Sequence, residues 1–183
     1  MPIKNWMSWE QGVDLVAATA GNLPMPNLIF HVASMVHTPV GSAPSGMILF
    51  QPNPASQPTI MGFISTNLDV AAYFGPHIFA GTPFENAPTL LAKIEVATSG
   101  DTATARITIA NNLFETRLTG LRALEQVNRE PSGMPPFFQQ ALEAPASAAT
   151  LSLNGVNIPF TLPPIGISGG APAVWSPAGI YSR

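Results

Sequence analysis

The stretch LAKIEVATSGDTATARITIANN, residues 91–112, decides the fold class, because its apolar residues alternate with polar ones in two runs. Gly100 and Asp101 stand between the runs, where the chain reverses. The inward-facing set is Ile94, Val96, Ile107 and Ile109, and the outward-facing set is Lys93, Glu95 and Arg106. A period of two residues is typical of a β-strand with one buried face, and opposite charges on paired strands attract. The stretch therefore predicts an antiparallel β-hairpin.

A second hairpin is predicted in LSLNGVNIPF, residues 151–160. Asn154 and Gly155 form the Asn-Gly pair that favours a two-residue turn with positive φ at both positions. Pro159 lacks an N–H group, so the returning strand is expected to end early or to lie at a sheet edge. The segment adds another antiparallel pair to the fold.

Upstream of the first hairpin, short β-rich runs are separated by turn residues. They are residues 28–37 (LIFHVASMVH), 47–51 (MILFQ), 59–66 (TIMGFIST) and 77–81 (HIFAG). In the first run Phe30 lies on one face and Ile29 on the other, and both are apolar. Such strands are buried on both sides, by a second sheet on one face and by a helix, a loop or a subunit on the other. The pattern predicts an all-β fold, an antiparallel sandwich, with a barrel as the alternative.

One or two short accessory helices are predicted beside the strands. Residues 5–22 (NWMSWEQGVDLVAATAGN) carry apolar side chains at helical spacing. These side chains are Trp6, Trp9, Val13 and Val16. Residues 119–130 (TGLRALEQVNRE) carry a similar stripe, and residues 135–144 (PPFFQQALEA) begin with two prolines, which favour a helix N-terminus.

The chain is predicted to form one domain, residues 1–183, because no repeat and no linker divides it. Residues 1–22 are expected to form an N-terminal helix or arm, and residues 163–183 an extended Gly/Pro-rich tail. Glu10 and Asp14 interrupt any signal-peptide core, and no apolar run approaches a membrane span. The default expectation is a cytoplasmic protein.

Charged residues make up only 9% of the chain, against roughly 25% in ordinary soluble domains. Seven basic and ten acidic residues give a net charge of −3, which provides no basic surface for nucleic acid. The absence of cysteine excludes disulfides and thiolate metal sites. These few charged side chains are spread over an expected folded surface of about 8,400 Å². This composition predicts that a second subunit or a protein partner covers part of the surface.

Three motifs between Leu28 and Pro83 carry a family resemblance. They are FHVASMVHTPVG, FQPNP and HIFAGTP, an apolar strand with a turn, a returning strand, and a later strand. This part of the chain resembles a small bacterial family of unknown function. The resemblance implies an all-β fold and no particular activity.

The sequence GISGG, residues 166–170, matches the G-x-S-x-G pattern of a serine-hydrolase nucleophile elbow. An elbow needs a strand before Ser168, a helix after it, and an acid and a histidine later in the chain. Pro172 and Pro177 prevent that helix, and no Asp, Glu or His follows the serine. The motif is therefore interpreted as a turn. A triad in another order, using upstream histidines and Asp69, stays open.

Neither the histidines nor the acids form a recognisable site in the sequence. His31 and His37 lie six residues apart, on one face of a straight strand, which separates them by about 20 Å. They can share a metal ion only if the chain bends between them, at Ser34. The acids considered as a catalytic pair are Asp69, Glu85, Glu95, Asp101, Glu115, Glu125, Glu130 and Glu143, and none is singled out. Glu143 is interpreted as a solvated residue near a helix end.

The favoured function is that of a non-enzymatic structural or interaction module, which forms a homo-oligomer or binds a protein partner. Its predicted interface residues are Trp6, Trp9, Trp175 and Tyr181, since large aromatic side chains with a polar group anchor interfaces. One alternative is a carrier of an apolar small molecule, with Met35, Met47, Met61 and Phe63 around the ligand in a barrel. A second alternative is a hydrolase. No cofactor, metal or membrane span is predicted.

Overall fold

The structure, a computed structural model, describes residues 4–21, 23, 25–132 and 136–183. The described chain is nearly all-β, so the predicted fold class is confirmed. The strands are β1 (Trp6–Ala17), β2 (Leu28–Thr38), β3 (Gly41–Phe50), β4 (Ile60–Ser65), β5 (Thr89–Leu91), β6 (Lys93–Ser99), β7 (Thr102–Ile109), β8 (Asn112–Leu121), β9 (Glu125–Arg129), β10 (Phe138–Leu153), β11 (Val156–Asn157) and β12 (Ala173–Ser182). One short helix, α1 (Leu68–Tyr73), continues into a π-helical segment (Phe74–Ile78).

The strands belong to one sheet in the order β5-β4-β3-β2-β1-β12-β10-β8-β7-β6, with β9 and β11 paired to β10 off this path. Only the β4–β5 pair is parallel among the described strands. Because β5 leads through Ala92 directly into β6, the two edge strands meet at one corner and the sheet curls into an open half-barrel. The predicted sandwich is therefore corrected: its two layers are two ends of a single curled sheet.

The inside of the curl is filled by a first apolar cluster, which joins β1–β3 to β6–β8. Phe114 is its centre, with ring centroids 5.6 Å from Phe30 and 5.1 Å from Phe50. All three rings are at least 97% buried, and burial of one such side chain contributes about 1.5–3 kcal/mol. This interior is a packed core, so a ligand inside a barrel is not supported.

A second apolar cluster covers the opposite face of β1–β4. Ile29 packs there, whereas Phe30 belongs to the first cluster, so the predicted two-sided burial of these strands is confirmed. The cover is α1 and the π-helical segment, and the side chain of Asn67 caps α1 by accepting a hydrogen bond from the Asp69 N–H at 3.0 Å. Both faces are thus covered by this chain itself, and these strands need no second subunit to be buried.

Both predicted hairpins are confirmed. β6 and β7 pair across Gly100, with Ile94 opposite Ile107 in the core and Glu95 opposite Arg106 outside. β10 and β11 pair across Asn154 and Gly155, whose φ angles of 51° and 80° suit the Asn-Gly turn. β11 has only two residues and ends before Pro159, as the missing N–H predicts.

The predicted N-terminal helix is wrong, because residues 6–17 form β1 between β2 and β12 in the middle of the sheet. Gln11, with φ of 51°, pairs with neither β2 nor β12, although the register with both strands is the same before and after it. This left-handed residue reverses the alternation of the side chains, so Trp9 lies in the second cluster and Val13 in the first. A strand with such a reversal imitates helical spacing. Residues 1–3 and 22 of the predicted arm lie outside the described residues.

The other predicted helices and the tail are also strands. Residues 119–130 span the end of β8, a loop and β9, so their apolar stripe combines two separate elements. Residues 138–144 begin the 16-residue strand β10, in which buried and exposed side chains alternate from Phe138 to Glu143; Pro135 lies outside the described residues. The predicted tail contains β12, which is paired on both sides. In the described chain, no helix is long enough and apolar enough to cross a membrane.

Candidate functional site

An apolar pocket lies on the second-cluster face of the sheet. Its floor comes from β1–β4 and β12, and its roof comes from the π-helical segment and the loops around Phe79, Phe137 and Ser168. The pocket has a volume of about 90 Å³. Since a single water needs only about 10–15 Å³ by the same measure, the pocket admits a molecule of several heavy atoms.

Asp14 and His31 form an ion pair in the wall of this pocket. β1 and β2 are antiparallel with these residues directly opposite each other, so both side chains leave the sheet on the same face. His31 Nδ1 donates a hydrogen bond to Asp14 Oδ1 at 2.7 Å, and 23% and 28% of the two side chains stay accessible. Gln11, whose φ is positive, reverses the alternation of β1, so Asp14 lies on the same face of the sheet as Trp9.

Burial and charge act against each other on the imidazole of His31. Burial is the largest single effect and lowers the pKa, whereas the charge of Asp14, the hydrogen bond to Asp14 and the charge of Glu143 raise it. The sum raises the pKa of His31 above its ordinary value of 6.5. The ring therefore keeps its second proton to a higher pH than a free imidazole does, with Nδ1–H held by Asp14 and Nε2–H as the remaining donor.

A second ion pair, Arg129 with Glu143, lies on β9 and β10. Arg129 Nη1 and Nη2 donate to Glu143 Oε1 and Oε2 at 2.6 and 2.8 Å, and Gln139 Nε2 donates to Oε1 at 2.9 Å. Only 7% of the Glu143 side chain is exposed, and the residue lies at a bulge in the β10–β12 pairing. The hydrogen bond to Glu143 is the main cause that raises the pKa of Arg129. Two-pronged pairing of this kind holds both groups in a fixed orientation.

Tyr181 connects the two ion pairs to the aromatic wall. Its ring stacks on Phe137 with centroids 4.0 Å apart and contacts Trp9 at 4.7 Å. Burial raises the pKa of Tyr181 strongly, the charges of Asp14 and Glu143 raise it further, and Arg129 opposes them. Tyr181 therefore keeps its proton near neutral pH, and its hydroxyl can donate a hydrogen bond.

The four aromatic residues predicted at an interface occupy different places. Trp9 is 8% exposed and donates from Nε1 to Ser176 Oγ at 2.9 Å, while Tyr181 lines the pocket. Trp9 is thus buried in the second cluster, whereas Tyr181 is half-buried in the pocket wall, and an interface role stays a prediction for both. Trp6 and Trp175 are half-buried, and for them an interface role stays a prediction.

The residues predicted around an apolar ligand are partly brought together. Met47 and Phe63 line the pocket, and Met61 packs at the margin of the second cluster. Met35 lies on β2 beside a register shift between Ala33 and Val36 and is not in the pocket wall. The carrier hypothesis places these side chains inside a barrel, whereas the pocket lies outside the curl, beneath the π-helical segment.

Ser168 lies in a turn at residues 167–170, so the interpretation of GISGG as a turn is confirmed. The turn closes with a hydrogen bond from the Gly169 N–H to the Gly166 carbonyl at 3.0 Å. The sequence did not indicate where this turn lies: Ser168 lines the same pocket as His31 and Asp14. Three residue types that form hydrolytic triads thus share one cavity wall.

His37 and His77 lie apart from His31. His37 bonds to Ser42 Oγ at 2.8 Å and Glu10 Oε1 at 2.9 Å, and His77 stacks on Tyr73 with centroids 4.4 Å apart. The register shift in β2 makes His37 and His31 point to opposite faces, which corrects the prediction of one face. Within the described ranges, no three His, Asp or Glu side chains form a group able to hold a metal ion.

The charged residues nearest the pocket were missed or misread in the sequence. Asp14 was considered only as an interruption of a signal peptide, and Glu143 only as a solvated acid. Glu143 is 6% exposed, so that interpretation is wrong; it followed from assigning residues 135–144 to a helix. The usable signal is the strand period, since Gln139, Ala141 and Glu143 share the buried face of β10.

No protein-family model and no curated protein matches the chain. Among solved structures, it is similar to the crystal structure of acetoacetate decarboxylase from Legionella pneumophila subsp. pneumophila str. Philadelphia 1, with 10% identity, a TM-score of 0.42, and coverage of 100% of this chain and 87% of that one. Similarity at that level transfers neither a fold family nor an activity. The resemblance to a bacterial family between Leu28 and Pro83 gains no support from these comparisons.

Proposed function

We propose that the protein binds a small, mainly apolar molecule in the pocket between the sheet and the π-helical segment. The observation that supports this most directly is an aromatic and aliphatic cavity wall that contains one ion pair, Asp14 with His31. Ligand sites typically combine an apolar lining with a few polar groups that orient the ligand. An ion pair next to a cavity is also typical of functional sites, because taking two charges from water is costly.

Filling the pocket is expected to abolish binding. Ala33 lines the pocket on β2 and is 4% exposed. Ala33→Met places a flexible apolar chain in the cavity, and we expect it to weaken binding of ethylbenzene at least about tenfold, because the space and its contacts are lost. The measurement is a ligand-observed NMR titration with ethylbenzene, together with native mass spectrometry of the gently purified protein to detect a retained ligand.

The matched control for Ala33→Met is Ala148→Met, on the exposed part of β10. It adds the same side chain away from the pocket and should leave the affinity for ethylbenzene unchanged. Equal affinity of the wild type and both variants would show that ethylbenzene binds elsewhere. Absence of binding by the wild type, both to ethylbenzene and to its ketone analogue acetophenone, would reject the proposed function.

Hydrolysis of a small ester is a second candidate function, favoured by the presence of Ser168, His31 and Asp14 in the wall of one pocket. The hydroxyl of Ser168 would attack the ester carbon and pass its proton to His31 Nε2, which then protonates the departing alcohol and leaves an acyl-serine. Water, deprotonated by the same nitrogen, would attack the acyl-serine, release the acid and restore the serine hydroxyl. This needs the neutral imidazole. Because its pKa is raised, the His31 ring becomes neutral only at a higher pH than a free imidazole does.

Phenyl acetate turnover, if the protein catalyses it, should therefore increase as the pH rises through the raised pKa of His31. Ser168→Ala should reduce that turnover at least about a hundredfold, whereas Ser56→Ala, in an exposed loop, should not change it. A pH–rate profile of the wild type and both variants is the measurement. Equal rates in Ser168→Ala and the wild type would exclude the serine as nucleophile.

Association through charge-poor β-surfaces, with itself or with a protein partner, stays a prediction. The apolar character of both strand faces is a weaker reason for association than the sequence suggests, because both faces of β1–β4 are covered within the chain. The accessible surface of 8763 Å² is close to the value of about 8,400 Å² expected of a compact monomer of this mass. Exposed apolar side chains remain on β10, at Phe138 and Leu142, and light scattering at micromolar concentration tests whether they lead to an oligomer.

A further inference from the structure

We propose that the molecule bound in this pocket presents an uncharged hydrogen-bond acceptor, the carbonyl oxygen of a ketone, ester or amide, on an apolar body. This inference rests on the proposed binding function and names the chemistry of the ligand. It is supported by the polar groups that the pocket offers and by the charge balance around them.

The pocket wall offers hydrogen-bond donors that the protein itself does not use. Asp14 occupies Nδ1 of His31, and among the described residues Nε2 of His31 has no protein partner. The hydroxyl of Tyr181 likewise has no protein partner among them, although the residue lines the same pocket. Donors left beside a cavity are satisfied by water or by a ligand acceptor, since an unmade hydrogen bond costs free energy. An acceptor atom therefore fits this wall.

The charges around the pocket already balance. Asp14 is paired with His31 and Glu143 with Arg129, and among the lining residues only Asp14 and His31 carry charge. An anionic ligand would add a charge close to two carboxylates, and a cationic one would add a charge close to the His31 imidazolium and the Arg129 guanidinium. Either charge would enter an apolar cavity without its own partner, which is strongly unfavourable. A neutral acceptor avoids this cost.

Apolar contacts account for the rest of the ligand. Phe74, Phe79, Phe84 and Phe137 form the roof, and Trp9 and Met47 belong to the floor. Aromatic edges and faces favour a flat or compact hydrocarbon body. The ligand class is thus an apolar neutral carbonyl compound, small enough for a cavity of about 90 Å³ or extending through its mouth.

Three benzene derivatives of similar size separate these contributions: acetophenone, ethylbenzene and benzoate. Ethylbenzene replaces the carbonyl of acetophenone by a methylene group, and benzoate replaces the ketone by an anion. At pH 6 we expect wild-type protein to bind acetophenone about tenfold more tightly than ethylbenzene, the usual effect of one hydrogen bond to a charged donor. Benzoate should bind at least about tenfold more weakly than acetophenone. Calorimetry or NMR titration gives the three dissociation constants.

The double variant Asp14→Val with His31→Leu removes the ion pair without leaving one charge unpaired. It should bring the affinities for acetophenone and ethylbenzene within about twofold of each other. Its control is Glu10→Val with His37→Leu, which removes the other His–carboxylate pair, at 2.9 Å and outside the pocket, and should keep the wild-type preference. In case the pocket variant does not fold, the ¹⁵N shift of His31 Nε2 in the wild type serves instead: it should move with acetophenone and not with ethylbenzene.

The outcomes distinguish the ligand class from the binding function. The proposal of a carbonyl acceptor is overturned if the wild type binds acetophenone and ethylbenzene equally, or if acetophenone does not move the Nε2 resonance. Either result leaves the proposed binding in the pocket intact. Tighter binding of benzoate than of acetophenone overturns the requirement for neutrality. If neither acetophenone nor ethylbenzene binds, the pocket function fails, and the ligand class fails with it.

Discussion

Glu143→Ala is expected to lower the free energy of unfolding by about 3 kcal/mol, because it leaves a half-buried guanidinium without its carboxylate. In the folded protein Arg129 gives Glu143 two hydrogen bonds, of 2.6 and 2.8 Å, and 21% of the Arg129 side chain is exposed. The substitution also removes the acceptor of Gln139 Nε2. Urea denaturation of the variant and the wild type measures the loss.

The control for Glu143→Ala is Glu115→Ala. Glu115 pairs with Arg106 at 3.1 Å on the outer face of the hairpin, where 42% and 54% of the two side chains are exposed. Exposed pairs of this kind contribute about 0–1 kcal/mol, so Glu115→Ala should change the stability little. If the two substitutions cost the same, the environment of Glu143 would not be the buried, hydrogen-bonded one that the structure describes.

Gly46→Ala is expected to cost about 3 kcal/mol or more, since the added methyl group meets backbone atoms that cannot move away. A Cβ at Gly46 would collide with the carbonyl oxygen of His31 and with Cα of Val32, on the neighbouring strand β2. A clash with a side chain can be relieved by rotation, but this one requires β2 and β3 to separate, beyond the usual cost of overpacking. Thermal or urea unfolding measures the effect.

Gly46→Ala should also weaken ligand binding, because Gly46 and His31 line the same pocket. The control is Gly100→Ala in the β6–β7 turn, where a Cβ meets no atom within 4 Å but φ is +59°. There only the left-handed conformation is penalised, by about 1–2 kcal/mol, and the pocket should be unaffected. A small cost for Gly46→Ala with unchanged binding would contradict the close approach of β2 and β3.

The local residue pattern was sufficient to predict strand pairing wherever the paired strands are neighbours in the sequence. The β6–β7 hairpin was predictable because its strands alternate strictly and its turn residues stand between them, so no distant contact was needed. The apolar character of both faces of β2 likewise predicted its burial on both sides. The predicted sandwich was wrong because facing layers and one curled sheet share the same strand pattern and differ only in how distant edges pair.

A single left-handed residue explains the error at the N-terminus. Gln11, whose φ is positive, reverses the alternation of β1, so its apolar side chains recur at three- and four-residue spacing, which is the signal of a helix. At the other end of the chain, Glu143 lies on the buried face that Gln139 and Ala141 share, contrary to the usual preference of acids for solvent. The candidate site depends on both features: the reversal at Gln11 turns Asp14 toward the pocket, and Glu143 holds Arg129 in a fixed orientation.

By itself the sequence determined the β-rich class, two hairpins, the burial of β2 on both faces, and the interpretation of GISGG as a turn. Each of these follows from the residues of one segment, through side-chain period, turn chemistry or the missing N–H of proline. The tertiary structure alone decided the curl of the sheet, the pocket and the pairing of its charges. Asp14 and His31 are 17 residues apart, and Trp9 and Ser176 are 167 apart, and contacts over such separations depend on strand order and register, which no local pattern specifies.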